Sequence, residues 1–341
     1  MKVAEYYSAQ DVRIVDIPVP EIGPGEILMK TKVCGICGSD ILDWYRKTKK
    51  THFFGHEVTG VIEKVGEGVR GFSRGDRIYV NHHVPCFVCH WCRRGSYTMC
   101  PTYRQTDLDP AGFAEYIRIP RINVENGGII KLPDNVSFEE GSLIEPIGCC
   151  MRGLKKANLQ PGDTVLIIGA GFTGLAHLQL ARVMGAALII VIDFFDFKLK
   201  KAKILGADVT INPEKESVKK KLYQINEGRG ADVVVVTPAS TEAIKQAIEY
   251  LDKGSTLYLF GPTSPDDYIQ ILPHTFFFSE ISLITSYSST PIEDNAVCRL
   301  IKEKKIKAEE LITHRFQFNK IKEAVALAAK SRHSLKIVIN F

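Results

Sequence analysis

The 341-residue chain has no apolar run that reads as a membrane span. Its nearest approach, residues 165–180, carries no Lys, Arg, Asp or Glu, but it holds three glycines and Arg182 follows closely. That pattern reads as a buried strand, turn and helix. No long block of one charge occurs either. Forty-four basic residues against 39 acidic ones leave a net charge of +5, which gives little support to a dedicated nucleic-acid surface. Tandem repeats and low-complexity tracts are missing, and Met1-Lys2-Val3-Ala4-Glu5 opens no apolar secretory core. Nine cysteines are too sparse for a small disulfide-stapled scaffold. Reduced thiols in a cytoplasmic protein, free to ligate metal, are the expected use. What remains is an ordinary globular composition, 45% hydrophobic and 24% charged, of a length that suggests two domains.

Texture divides the chain. Up to about residue 150, short Val/Ile runs (13–17, 26–33, 58–65, 76–80) are punctuated by Gly and Pro, which predicts β structure with many turns. After Leu159-Gln160-Pro161-Gly162-Asp163, strands expected at 164–168, 188–192, 233–236 and 256–260 alternate with helices expected at 174–184, 198–205 and 242–251. This alternation is the signature of βαβ units on a parallel sheet. The pattern fades near 286–291. Residues 292–341 offer two helices and a last strand, 335–339, too little to fold well alone.

Cys86, Cys89, Cys92 and Cys100 are spaced C-x2-C-x2-C-x7-C. Four thiolates so close can close a tetrahedron on one Zn²⁺ with no open position, the arrangement of a structural site. An iron–sulfur cluster is the chemical rival. A nucleic-acid zinc module is a further rival, weakened by the absence of a long basic flank. Gly55-His56-Glu57 sets an imidazole beside a carboxylate, Cys37 stands nineteen positions before His56, and Glu145-Pro146 comes much later. Singly each is weak. Together they suggest a catalytic zinc with three protein ligands and one open position. Cys34 and Cys37 could be read as a redox pair, but no thioredoxin-like βαβ pattern surrounds them, and Cys34 reads better as a buried strand residue.

Gly169-Ala170-Gly171-Phe172-Thr173-Gly174 is a G-x-G-x-x-G turn between an expected strand and an expected helix, and Asp193 ends the next strand nineteen residues beyond Gly174. That context marks a dinucleotide site: the pyrophosphate lies at the helix N-terminus and Asp193 takes the ribose hydroxyls, which favours NAD over NADP. Lys198, Lys200 and Lys201 temper that preference and read as a solvated helix face.

These residues, in this order, resemble the zinc-dependent medium-chain dehydrogenase/reductase family over essentially the whole chain, nearest its sorbitol and threonine dehydrogenase branch. The carrying motifs are Cys37-Gly38-Ser39-Asp40, Gly55-His56-Glu57, the four-cysteine run, Gly112-Phe113-Ala114-Glu115-Tyr116, Glu145-Pro146 and the glycine turn. The resemblance implies an α/β protein. A GroES-like, mostly β catalytic domain (1–153 and 290–341, with a structural-zinc lobe at about 82–104) would join a doubly wound Rossmann domain (154–289). It implies two zinc ions and NAD. Cys37, His56 and Glu57 would be the catalytic zinc ligands, with Glu145 holding the zinc-bound water or exchanging with Glu57. Ser39 would begin the proton relay. Thr173, Asp193, Lys198, Phe260-Gly261-Pro262, Ser286 and Tyr287 match cofactor-contacting positions.

The implied reaction passes hydride from a secondary alcohol, polyol or sugar-like, to NAD by way of a zinc-bound alkoxide. An amino-alcohol dehydrogenase and a non-catalytic NAD-binding zinc protein are the alternatives. The expected partners are a small alcohol and copies of the chain itself in a dimer or tetramer, with no nucleic acid and no membrane. Two features depart from relatives. Leu42 stands where many carry a relay histidine, and only eighteen residues separate Cys37 from His56, placing Trp44, Tyr45 and Arg46 in a shortened pocket segment.

Overall fold

The structure, a computed structural model, describes residues 1–330 and 333–341. The chain divides into two compact units. One comprises residues 1–148, 288–304 and 308–341; the other comprises 149–287 and 305–307.

In the first unit, Ile27–Gly35 lies at the centre of a seven-stranded sheet. It pairs antiparallel with Glu57–Val65, which in turn pairs with Arg77–Val80. On the other side Lys336–Asn340 pairs antiparallel with it, setting Ile339 opposite Cys34. The end of the chain therefore supplies strands to the sheet begun near its start. Alternate side chains of these strands, among them Met29, Val58, Ile62, Ile78, Ile117, Ile337 and Ile339, meet in one apolar core. Two helices, Phe138–Ser142 and Ile144–Lys156, interrupt the β-rich reading of this region. The first is started by a capping box, in which the Ser137 hydroxyl accepts from the Glu140 backbone N–H and the Glu140 carboxylate from that of Ser137. Pro146, Gly148 and Gly153 hide the second from propensity. Pro is tolerated in its first turn. Gly153 is required because any β-carbon there would collide with the Tyr258 phenol.

The second unit is built on six parallel strands in the order Val209–Ile211, Leu188–Ile192, Thr164–Ile168, Ala231–Val236, Leu251–Leu259, Ser282–Thr285. Helices Phe172–Val183, Asp196–Ile204, Val218–Ile225 and Thr241–Ile248 follow the strands. Strand Thr164–Ile168 is buried along its whole length, as expected where helices cover both faces of a parallel sheet. Strand order reverses between Thr164–Ile168 and Ala231–Val236, and ligands of such sheets bind at the carboxyl ends beside that switch point. Among the described residues no helix is long and apolar enough to cross a membrane.

Candidate active site

Cys37 follows strand Ile27–Gly35 and caps the 3-10 turn Gly38–Ile41, while His56 and Glu57 enter the neighbouring strand. Pairing of these two strands, with Gly35 opposite Glu57, brings one ligand atom from each of Cys37, His56 and Glu57 within 4.8 Å of the others. Gly35 has to lack a side chain, since a β-carbon there would strike the Glu57 carboxylate. Asp40 supports two of the three. Its Oδ2 accepts the Cys37 backbone N–H at 3.0 Å, and its Oδ1 lies 3.6 Å from His56 Nδ1. A carboxylate behind a histidine is the usual device for fixing a ligating ring.

The Glu57 carboxylate is fully buried, with both oxygens on Lys336 Nζ at 2.6 and 2.8 Å. Lys336 also donates to the Ile36 carbonyl. Burial by itself would lower the basicity of His56 and of Lys336. Asp40 and Cys37 outweigh it at His56, holding the imidazole well above its ordinary value, while Glu57, Cys37 and Glu145 raise Lys336. The pocket thus draws positive charge. Thiolate, imidazole and carboxylate within coordination range are a donor set suited to zinc. Glu145, buried in the first turn of helix Ile144–Lys156, stands outside that three-residue cluster but acts electrostatically on Lys336.

Cys86, Cys89, Cys92 and Cys100 also converge within 4.8 Å, with sulfur separations of 3.6 Å (Cys89–Cys92 and Cys86–Cys100) and 4.0 Å (Cys86–Cys92). A tetrahedron with Zn–S bonds of about 2.3 Å places its sulfurs about 3.8 Å apart, so the set fits one zinc. Burial would raise the Cys100 thiol, but hydrogen bonds from the Cys86 and Tyr103 backbone bring it down to about 6, toward the ligating thiolate form.

In the other unit the expected cofactor residues gather at the carboxyl ends of the parallel strands: Gly169 to Gly174 after Thr164–Ile168, Asp193 after Leu188–Ile192, Phe260 to Pro262 after Leu251–Leu259, Ser286 and Tyr287 after Ser282–Thr285. A β-carbon at Gly171 would meet nothing within 4 Å, leaving room for a pyrophosphate, while one at Gly174 would collide with the Gly169 carbonyl. Asp193 accepts backbone N–H groups from Ala170 at 2.7 Å and Phe195 at 2.9 Å. Ser286 Oγ is buried without a partner. An open cradle and an unmatched hydroxyl at the carboxyl edge fit a dinucleotide.

One expectation needs correction. Lys198 is not solvated: it is 8% exposed, with its ammonium 5.0 Å from the Phe195 ring centre, whereas Lys200 is exposed. The helix begins at Asp196, which turns position 198 inward. Arg46, in the shortened segment, is occupied structurally. It donates to the carbonyls of Thr51, His52 and Phe53 and lies against the Tyr6 and Phe54 rings.

Sequence reasoning missed Lys336, the charged residue that opens strand Lys336–Asn340. It also missed His82 and His83, whose pairing just before the cysteine run was the available signal. Their rings pack in a tilted row from His56, with centres 4.7 Å apart for His56–His82 and 4.0 Å for His82–His83.

Comparison with known proteins agrees with this fold. Residues 23–134 match the alcohol dehydrogenase GroES-like domain and residues 173–303 the zinc-binding dehydrogenase domain. Sorbitol dehydrogenase of Mus musculus is 31% identical, covering 96% of this chain and 92% of its own. L-threonine 3-dehydrogenase of Pyrococcus horikoshii is 32% identical, covering 96% and 94%. An alcohol dehydrogenase structure from E. coli CFT073, complexed with NADH, superposes with a TM-score of 0.89 at 28% identity over 100% of this chain and 99% of that one. The chain belongs to the zinc-dependent medium-chain dehydrogenase family, with a GroES-like domain and a Rossmann domain, and is an oxidoreductase acting on alcohols.

Proposed function

We propose that this dehydrogenase oxidises a secondary alcohol within a polyol or sugar-like molecule and passes the hydride to NAD. The observation that carries the reading is the convergence of Cys37, His56 and Glu57 in a chain that also bears a dinucleotide turn. These three are the proposed ligands of a catalytic zinc, with Glu145 as the alternative carboxylate. Cys86, Cys89, Cys92 and Cys100 are the proposed ligands of a structural one. Bound at the open site, zinc supplies a Lewis acid that lowers the pKa of a coordinated hydroxyl.

The chain's own residues supply the remainder. Asp40 orients the His56 ring, and Lys336 neutralises the buried Glu57 carboxylate so that the site's negative charge stays tolerable. Ser39 Oγ, in the turn that starts at Gly38, takes up the substrate proton. Leu42 follows that turn, so no imidazole stands there, and the proton leaves Ser39 through a ribose hydroxyl, water or another side chain. Asp193 favours NAD, and buried Lys198 reduces that preference.

The proposed assembly is a homo-oligomer joined along the edge strand Ser282–Thr285. Exposed Leu283 on that strand, with exposed Leu272, Phe277 and Phe278 nearby in sequence, supports it. Cysteines that form no disulfide among the described residues suit a reducing compartment such as the cytoplasm.

The test is NADH formation by zinc-loaded protein on polyols, amino alcohols and simple secondary alcohols, with Cys37→Ser alongside. Polyol turnover that falls at least about 10³-fold in Cys37→Ser, with NADH binding retained, is the expected result. Unchanged activity in that variant would overturn the catalytic assignment. Sedimentation of the same preparation as a monomer would overturn the oligomer.

A further inference from the structure

Strand Arg77–Val80 ends beside the open cluster, and the residues after it are held at almost every polar atom. Asn81 donates its side-chain amide to Asp294 Oδ2 at 2.5 Å and accepts the His83 backbone N–H at 2.9 Å. The Tyr79 hydroxyl donates to the same Asp294 oxygen. Asn123 donates to the carbonyls of both Asn81 and His82, and the Val84 backbone N–H is bound by Thr106 Oγ1. Tyr103 packs on the far side of the His83 ring, 5.1 Å between centres. A segment so restrained presents its side chains in one arrangement.

Within this frame the imidazole of His82 is conspicuous. Its ring packs against His56 at a tilt of 43°, yet its Nδ1 is buried with no hydrogen-bond partner, and so is the Nδ1 of His83 behind it. Buried polar atoms are nearly always paired, and an exception calls for a ligand or a water. Neutral imidazole offers a donor at one nitrogen and an acceptor at the other. A hydroxyl, which both donates and accepts, satisfies either tautomer, and a C–H group satisfies neither.

Resting on the polyol reading above, we propose that His82 is the specificity-determining residue for a second hydroxyl of the substrate, next to the reacting carbon, so that the enzyme selects vicinal diols and polyols over secondary alcohols with one hydroxyl. A site built to hydrogen-bond a hydroxyl rejects the analogue without it far more strongly than an apolar pocket discriminates by size.

The test compares butane-2,3-diol with butan-2-ol, two substrates on one carbon skeleton, in zinc-loaded wild type, His82→Phe and His82→Asn. The expected wild-type enzyme prefers the diol. His82→Phe lowers kcat/KM for the diol about 10²-fold while butan-2-ol stays within about threefold. His82→Asn, which keeps a donor and an acceptor, recovers about tenfold of the loss. Zinc content and NADH affinity, measured alongside, stay at wild-type values. Equal losses on both alcohols would make His82 a structural residue, and an unchanged ratio would mean that water satisfies its nitrogen; either overturns the proposal. Butan-2-ol turnover with no diol preference in wild type sinks this inference alone. Absence of turnover on any alcohol sinks the polyol reading and this inference together.

Discussion

The centre of the parallel sheet and the floor of the open site bury opposite kinds of residue. In the parallel-sheet unit the centre is aliphatic: strands Thr164–Ile168 and Leu188–Ile192 contribute Val165, Leu166, Ile167, Ile189, Ile190 and Val191 at 0% exposure. In the other unit the floor of the site encloses Asp40, Glu57, Glu145, Asp294 and Lys336, all buried. Transfer of aliphatic surface from water stabilises the first arrangement directly. The second carries desolvation costs that only pairing and a bound cation offset. Metal, charge and acid should therefore act on the two regions differently, and each perturbation below tests that contrast.

Loss of the closed thiol site should have the largest effect. Around it only Cys92, Cys100 and Tyr103 are buried together, with Cys86, Cys89 and Tyr97 partly covering them, so the lobe has almost no core beyond its ligands. Structural zinc contributes on the order of 10 kcal/mol to the folding of small zinc domains. Cys92→Ser is expected to lower bound zinc from about two equivalents per chain to about one. It should also open residues 86–105 to limited proteolysis while NADH still binds. Protease resistance equal to wild type would show that the lobe stands without its metal.

At the open site the corresponding perturbation is Lys336→Met. It removes the counter-charge from a fully buried carboxylate, a loss of about 3–5 kcal/mol where nothing replaces it. A zinc ion held by Glu57, as proposed, would supply part of that charge. Denaturant midpoints measured with chelator and with zinc should therefore separate more for Lys336→Met than for wild type. Equal destabilisation in both conditions would mean that Glu57 does not share its charge with the metal.

The same contrast sets how far the chain can be read from its residues. Strands Thr164–Ile168 and Leu188–Ile192 have the bounds read from sequence, because continuous apolar runs between Gly and Pro mark fully buried strands, and Asp193 falls at the end of the second. The helix after the glycine turn starts at Phe172, two residues before the apolar pattern makes it visible. The four-cysteine run was legible from residue type and spacing, whereas Cys37 and His56, weak singly, were picked out through the family resemblance. Lys336 was not legible, because its partner Glu57 lies 279 residues away and nothing local predicts a buried pair. Glu145 was legible as a residue, but its helix was obscured by Pro146, Gly148 and Gly153. Lys198 was misread because a shift of helix register decides whether a lysine faces water or the Phe195 ring.

The smallest effect separates two histidines, the part-exposed His56 and the buried His177. His56 has Asp40 and Cys37 beside it. His177, in helix Phe172–Val183, has the Thr173 carbonyl at 2.7 Å from Nδ1 and otherwise the edges of Tyr258 and Phe260, with Nε2 unmatched. Burial brings its pKa down to about 4, against a small upward pull from the carbonyl. An unfolded histidine titrates near 6.5, so between about pH 6.5 and pH 4 the unfolded chain binds the extra proton. Stability from neutral His177 is therefore complete above that window and is lost as the pH falls through it, by about 2 kcal/mol at pH 5. His177→Phe removes the titrating group and keeps the aromatic contacts. Its urea midpoint should fall less than that of wild type between pH 7 and pH 5. Protonation of the zinc ligands weakens both proteins over the same range and cancels in the difference. Parallel losses in the two proteins would place the acid sensitivity wholly in the charged floor of the other unit and leave His177 without a part in it.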